Sequence, residues 1–299
     1  MKNQIIEISI GLIKMDSSYL CLKRKSHPYQ NFIEFPGGKR NKSESISACL
    51  VREIKEELNI SIKKYKYIGM IKHLYDGTLI KINIFKIFRY SGEISSNENR
   101  EIVLYKNNSD YQLLPTHKRI LNTLHIPRVL KIVNIKNTND DKNINLSAYS
   151  SIRLRGINYE NFKKFVKDKL ISNRFSGKII IDYPYDKHWK EPFHGIHYSS
   201  SNIKFYNPED SCSNYLYSAS CHTISDINEC NQKLFDYLLL SPVLETHNNF
   251  SVLGWSKFSK LCQESYSPIL ALGGLSLRLL DYTTCIENYG FGIAGIRNI

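Results

Sequence analysis

At Ile126 the hydrophobic rhythm of the chain changes, and no other feature constrains its fold as strongly. Beyond that point short apolar runs alternate with helical stretches, the pattern of repeated βα units around a parallel sheet. The expected strands are Val129–Val133, Ser151–Leu154, Lys178–Ile181, Gly195–His197, Tyr215–Ala219, Tyr237–Leu240, Ile269–Leu272 and Gly292–Ala294. Eight strands close a (β/α)8 barrel, although the stretch to Ile299 is short for that fold, which usually needs about 200 residues or more. Two economies are expected. Asn134 to Ala148 is polar and rich in Asn and Asp where a first helix should stand, and Ile299 follows so soon on the last strand that the eighth helix is absent.

The residues before this change read as strands around one strong helix. Ile5–Ile13 and Ser18–Leu22 are expected strands, and Leu79–Phe88 alternates, with Ile80, Ile82 and Ile84 set against Leu79, Lys81 and Asn83. Ser43–Leu58 repeats Ile46, Leu50, Ile54 and Leu58 every four residues behind Ser43 or Ser45 as N-cap, which makes an amphipathic helix. The expected class is therefore α/β in two domains, 1–125 and 126–299. A length of 299 residues agrees, since one core stops growing at roughly 250–300.

With 42% hydrophobic and 12% aromatic residues the chain is not disordered, and no run approaches the ~18 apolar residues of a membrane span. Asn3, Gln4 and Glu7 interrupt any signal-peptide core in Met1–Lys14, so a cytoplasmic location without membrane partners is expected. The 7 cysteines form no CxxC pair, which fits reduced thiols better than a disulfide framework. Lys+Arg outnumber Asp+Glu by 41 to 28, a formal charge of +13. These cations fall in scattered groups, such as Lys23-Arg24-Lys25 and Lys63-Lys64, with no nucleic-acid-reading motif. A phosphorylated small molecule accounts for part of the charge, and no nucleic-acid polymer is expected.

The chemistry concentrates between Gly37 and Ile60. On a helix Glu53, Glu56 and Glu57 stand at i, i+3 and i+4, so three like charges share a face at a cost of a few tenths of a kcal/mol per pair. Oxygen ligands beside a Gly-Gly turn suit a hard divalent cation such as Mg²⁺, above all one that also touches substrate phosphates. Arg52 can fix a carboxylate through its planar fork.

The whole string, Gly38, Glu44, Arg52-Glu53, Glu56-Glu57 and Ile60 at their spacings, resembles the Nudix box of the Nudix hydrolases. It departs only at Asn59, which stands for a glycine and tolerates the same left-handed backbone. The resemblance implies a Nudix α/β/α sandwich that hydrolyses a nucleoside diphosphate linked to another moiety, with Mg²⁺ (or Mn²⁺) as cofactor. It implies that Glu53 is the base or a shared ligand, that Glu56 and Glu57 bind metal with the Gly37 carbonyl, and that Glu98 adds a carboxylate. Glu44 and Arg52 are then structural members of the box. The flanks, Glu34-Phe35-Pro36-Gly37-Gly38-Lys39, the strand ending at Lys23-Arg24, and His73-Leu74-Tyr75, resemble the MutT type, the 8-oxo-dGTP diphosphatases that protect DNA by cleansing the nucleotide pool. Substrate contacts are thereby implied for Arg24, Glu34, Phe35 and Gly38, and also for Lys39, Tyr75 and His117. His117 stands where that type carries a base-reading asparagine. An amide donates and accepts in one fixed geometry, whereas neutral imidazole does so on opposite ring edges, so the preferred base is open.

The second half resembles thiamine phosphate synthase and the thiazole tautomerases, which are (β/α)8 barrels. The matching strings include Gly195-Ile196-His197, Ser220-Cys221-His222, Leu240-Ser241-Pro242 and Leu272-Gly273-Gly274-Leu275. Where those synthases hold Mg²⁺ and pyrophosphate, this chain has Asp182-Tyr183 and Asn202, and His247-Asn248-Asn249 replace an expected basic residue. Catalysis by the barrel is therefore not expected. Gly273, Gly274 and Gly295 remain as candidates for a phosphate site, and His222 for acid-base work. The alternative to nucleotide hydrolysis is a thiamine-pathway protein acting on thiamine-related phosphates.

Overall fold

The computed structural model describes residues 5–106, 109–134, 148–156, 160, 163, 165, 175–185, 193–212, 214–246, 251–276 and 278–296. The chain divides into two compact units, Met1–Leu124 and His125–Ile299.

The first unit runs β1 (Ile5–Met15), β2 (Ser18–Lys23), β3 (Ile33–Glu34), β4 (Gly37–Lys39), α1 (Ile46–Leu58), β5 (Ser61–Tyr75), β6 (Thr78–Ser91), β7 (Ile102–Tyr105) and α2 (His117–Thr123). Strand β1 is the spine of the sheet: it runs parallel to β6 from Ile5↔Leu79 to Ile13↔Ile87 and antiparallel to β4, and its end pairs with β2. Two apolar layers result. Leu50, Ile54 and Leu58 of α1 pack with Ile13, Leu20, Leu22, Phe85 and Ile87, whereas Ile120 of α2 packs with Ile10, Leu12, Ile71, Ile82 and Ile84. This is an α/β/α sandwich.

The local chemistry of α1 fixes its ends. Ser45, not Ser43, is the N-cap, its hydroxyl accepting from the Ala48 N–H at 3.1 Å. Asn59 closes the helix in the left-handed conformation (φ 57), the role the sequence expected of it. Strand β5 is an element that the hydrophobic pattern missed. Its Lys63-Lys64-Tyr65-Lys66-Tyr67 stretch is exposed and broken by bulges, so no alternation shows, and its true marker is the Asp76-Gly77 hairpin turn, with φ 44 and 80.

In the second unit β8 (Val129–Asn134), β9 (Ser151–Arg155), β10 (Lys178–Asp182), β11 (Gly195–Tyr198), β12 (Leu216–Cys221), β13 (Tyr237–Leu240), β14 (Ile269–Leu272) and β15 (Gly292–Gly295) form a closed parallel barrel. All eight expected strands are present. Alternate residues sort into two cores: Leu130, Ile132, Ile180, Leu216, Leu239 and Leu270 fill the lumen, while Leu154, Ile181, Ile196, Ala219, Leu238 and Ile293 face the outer layer. Helices α3 (Ile224–Lys233), α4 (Gly254–Glu264) and α5 (Leu279–Glu287) follow β12, β13 and β14. The expected loss of the first helix falls on residues 135–147, outside the described residues. No helix among the described residues is long and apolar enough to cross a membrane.

Candidate active site

Strand β4 and helix α1 meet through the two glycines. Gly37 adopts φ 137 beside β1, where a Cβ would lie 2.1 Å from the Ser9 carbonyl oxygen. At Gly38 a Cβ would stand 2.3 Å from Glu53 Oε2, so the missing side chain is what lets the Glu53 carboxylate rest against the backbone. The Arg52 fork then organises the acids: Nη1 donates to Glu53 Oε1 at 2.7 Å and to Glu56 Oε2 at 3.0 Å, while Nε and Nη2 each donate to Glu44 at 2.9 Å. Nη2 also donates to the Lys39 carbonyl at 3.0 Å, tying the helix to β4. The hydrogen bonds from Arg52 hold the Glu44 carboxyl below its ordinary range and push the guanidinium's own pKa up.

Glu57 is the buried member of the acidic set. Its Oε2 accepts from the Gly37 N–H at 2.7 Å and its Oε1 from Arg100 Nη1 at 2.6 Å. Burial nevertheless pushes its pKa up to about 7, against the lowering by Gly37 and Arg100, and nearby Glu34 and Glu98 act in the same direction as burial. Arg100 was not found by sequence reasoning. It continues to Glu34 Oε1 at 2.5 Å, and Glu34 is paired on its other side with Arg24, so a chain of alternating charge runs from Glu57 to Arg24. Its spacing from α1 carries no periodic signal, since the two meet only through the fold. Glu98 lies at the edge, its carboxylate 4.0 Å from Arg100 Nη1.

Glu53, Glu56, Glu57 and Glu98 offer only hard oxygen donors, and buried Glu57 would be held ionised by a further cation. Those properties fit a divalent ion such as Mg²⁺. As they stand the carboxylates are engaged by arginines, and among the described residues no three Asp, Glu, His or Cys side chains converge as a preformed metal cluster.

A cavity of about 570 Å³ opens beside this set. Of the expected substrate contacts Arg24, Glu34, Phe35, Lys39, Tyr75 and His117 line it, and Gly38 does not; Gly37 does. Ile8, Ile10, Ile80, Ile82 and Ile120 supply much of the apolar wall, and Tyr29, Asp76 and Thr78, which sequence reasoning missed, are among its other lining residues. His117 is buried, stacked on Phe35 (centroids 4.2 Å, 22°) with Tyr105 edge-on at 4.6 Å. Neither ring nitrogen has a hydrogen-bond partner among the described residues, and burial lowers the imidazole pKa to about 4, so the ring is neutral near pH 7.

In the barrel the polar groups at the expected ligand positions are already matched, although the buried Tyr237 hydroxyl has no hydrogen-bond partner among the described residues. Arg153 Nε and Nη2 donate to the two oxygens of Asp182 at 2.7 and 3.2 Å, and Asn202 donates to the Tyr183 carbonyl at 3.3 Å. The two nitrogens of buried His197 lie 2.9 Å from Ser218 Oγ and 2.8 Å from Ser220 Oγ. His222 Nδ1 is 2.8 Å from the Ser241 carbonyl, an ordinary structural bond. A steric need accounts for two of the candidate phosphate-site glycines. At Gly273 (φ 97) and Gly274 (φ 72) a Cβ would meet Pro242 Cα at 2.8 Å and the Glu245 carbonyl at 2.6 Å, so both let the segment after β13 pass close by. Gly295 ends β15, paired with Lys131. His247-Asn248-Asn249 lie outside the described residues.

The NUDIX domain family matches residues 6–118, and the family described as thiamine monophosphate synthase matches residues 149–299. The 8-oxo-dGTP diphosphatase of Buchnera aphidicola subsp. Schizaphis graminum is 36% identical over 106 residues, which is 36% of this chain and 77% of that protein. The CTP pyrophosphohydrolase of Escherichia coli is 28% identical over 101 residues, 33% of this chain and 75% of that protein. A solved MutT NUDIX hydrolase from Burkholderia pseudomallei aligns at 23% identity over 41% of this chain and 99% of its own, with a TM-score of 0.39. The chain belongs to the Nudix hydrolases over its first unit and to the thiamine monophosphate synthase family over its second.

Proposed function

We propose that the first unit hydrolyses nucleoside triphosphates to the monophosphate and pyrophosphate with Mg²⁺, or Mn²⁺ in its place, and that 8-oxo-dGTP is the preferred substrate. One observation carries the reading: the Glu53 carboxylate rests on Gly38, and Glu57 is buried against the N–H of Gly37, a residue that also lines the cavity. Glu53, Glu56 and Glu57, with Glu98 and the Gly37 carbonyl, are the groups that would hold the ion. When bound, the ion neutralises charge on phosphoryl oxygens and lowers the pKa of a water.

The chain's own residues do the rest. Glu53, oriented by Arg52, accepts the proton of the attacking water. Arg24 and Lys39, on the cavity wall, offer positive charge to the triphosphate. The stacked Phe35–His117 pair gives a nucleobase a flat wall, and the neutral His117 ring brings one donor and one acceptor to it. The activity named for the Buchnera relative favours the oxidised guanine nucleotide. Steady-state kinetics on 8-oxo-dGTP, dGTP and CTP with Mg²⁺ test the assignment. A kcat/KM for 8-oxo-dGTP well above that for dGTP is expected; equal values would remove the pool-cleansing role and leave the hydrolase.

The family of the second unit favours one further reading, that the chain serves thiamine chemistry and its first unit acts on thiamine-related pyrophosphates. The pairing of Asp182 with Arg153 weighs against a synthase, because the acid that would hold a metal and pyrophosphate is already bonded. Calorimetric titration of the full chain with thiamine phosphate separates the two; saturable binding would support the thiamine role, and its absence at millimolar ligand would end it.

A further inference from the structure

We propose that the β5–β6 ribbon of the first unit is a docking surface for single-stranded nucleic acid. Neither strand carries an Asp or Glu along its whole length, Ser61–Tyr75 and Thr78–Ser91. The register sets Lys64 opposite Arg89 and Lys66 opposite Lys86, so two rungs near one end of the ribbon each hold two cations; a third such rung, Lys72 opposite Lys81, lies farther along, with Lys72 buried. Directly opposed like charges destabilise a strand pair. None of Lys64, Lys66, Lys86 and Arg89 is in an ion pair among the described residues, although the chain forms such pairs freely elsewhere in this unit.

The four cations share one face. Tyr67 lies opposite Phe85, and Tyr65 opposite Ile87, and both tyrosine rings lean on Phe85 in the core beneath α1. The intervening rungs, Lys66↔Lys86 and Lys64↔Arg89, therefore point to the other side of the pleat. Phe88, which the bulge between those two rungs adds to β6, is 50% exposed, with the Lys86 ammonium 5.2 Å from its ring centroid.

A row of lysines commonly guards the edge of a sheet against pairing with another chain. That account covers β5, which is the edge strand, but not Lys86 on β6, which is paired with Leu12 of β1 on one side and Lys66 of β5 on the other. Closely set cations beside an exposed aromatic ring are what a strand of phosphates and unstacked bases recognises: the backbone meets the charges and a base stacks on the ring. The basic groups look scattered in the sequence because Lys64 and Arg89 are brought together only by the hairpin, and that is why the charge alone gave no reason to expect a polymer. None of the four cations, nor Phe88, lines the cavity, so this surface and the hydrolytic site stand or fall separately.

Fluorescence anisotropy with a labelled dT oligonucleotide and the full chain tests the proposal. Binding is expected to weaken with salt along a log–log slope of about −2.8 for four neutralised phosphates, and the K64Q/K66Q double variant to lower that slope by about 1.4. Phe88→Ala is expected to weaken binding about tenfold and leave the slope unchanged. K257E/K260E, on exposed positions of α4 in the other unit, makes a larger change in net charge and is expected to leave binding as it was. Any of four results overturns the proposal: no binding at low salt, equal weakening by K257E/K260E, duplex DNA bound as tightly as the single strand, or a Phe88→Ala variant that binds like the parent. Circular dichroism confirms that each variant is folded, and nucleotide hydrolysis by K64Q/K66Q is expected to be unchanged.

Discussion

The two units use the same kinds of polar side chain in opposite ways. In the barrel, the buried ionisable groups Arg153 and His197 sit in closed sets, Arg153 with Asp182 and His197 between two serines, and the Tyr237 hydroxyl is the exception, buried without a hydrogen-bond partner among the described residues. Beside the cavity of the first unit the balance is poorer: Glu57 has both oxygens bonded, yet burial still raises its pKa to about 7, and buried His117 has no partner for either nitrogen among the described residues. A satisfied buried group contributes order to a fold. An unsatisfied one costs free energy, and a fold that keeps it has another use for it.

The largest expected effect breaks that comparison most directly. Glu53→Gln keeps the shape of the side chain against Gly38 and removes its basicity, and is expected to lower kcat by about 10²–10⁴ with little change in thermal stability. Asp182→Asn in the barrel should do the reverse. It leaves the Arg153 guanidinium, 7% exposed, short of its counter-charge, and is expected to cost about 1–3 kcal/mol of stability, less than a fully buried pair because Asp182 is 27% exposed, while hydrolysis is retained. Turnover assays and denaturant melts on both variants check the contrast. Retained turnover in Glu53→Gln would undo the assignment of the base.

The pH dependence of stability gives the next effect. Glu57 has its folded pKa raised from 4.5 to about 7, so its contribution is fully present below pH 4.5 and is lost as pH rises through about 7, a change of about 3 kcal/mol. His117 and His197 have the opposite sign. Their folded pKa values are lowered from 6.5, to about 4 for His117 and, by burial, well below the ordinary range for His197, so their contributions are present above pH 6.5 and lost as pH falls. Glu57→Gln is expected to remove the loss on the alkaline side and to be more stable than the parent at pH 8 in EDTA, while losing activity. Urea melts of the parent and of Glu57→Gln at pH 5.5 and 8 read this as a difference, because the histidines contribute equally to both; a variant whose stability tracks the parent's over that interval would show that Arg100 fully compensates the buried charge.

How much of this was legible in the sequence differs between the units for a physical reason. Barrel strands are covered on both faces, so each leaves a continuous apolar run such as Tyr237–Leu240, and all eight were visible. Strand β5 was not, because an exposed, bulged edge strand needs no alternation. The glutamates of α1 were legible as a helical face, but Arg100, which reaches the site from a loop distant in sequence, was not. Gly273 and Gly274 were legible as glycines that the fold requires, and the sequence could not show that the requirement is the passage of Pro242–Glu245.

Arg100 supplies a smaller effect, and it links the acidic helix to the cavity. Because its fork holds Glu57 on one side and Glu34 on the other, Arg100→Gln is expected to lower kcat/KM about ten- to a hundredfold and to raise the Mg²⁺ concentration needed for half-maximal rate. Arg100→Lys, with charge but no fork, should recover part of the loss. A purely structural role would lower the melting temperature of both variants without moving the metal dependence.

The smallest effect concerns His117, which stands where the resemblance to the MutT type implied an asparagine. An imidazole presents its donor and acceptor on opposite edges, so it meets one edge of a base with a single hydrogen bond, whereas an amide meets it with two. His117→Asn also gives up the stack on Phe35, worth about 0.5–1.5 kcal/mol. The variant is therefore expected to be slightly less stable and to change the ratio of kcat/KM for 8-oxo-dGTP over dGTP about three- to thirtyfold, since a polar match discriminates more strongly than an apolar wall. Competition kinetics with the two nucleotides measure that ratio directly. If it stays fixed while stability falls, His117 is a packing group, and the base is read by other polar residues on the cavity wall, such as Tyr29, Asp76 or Thr78.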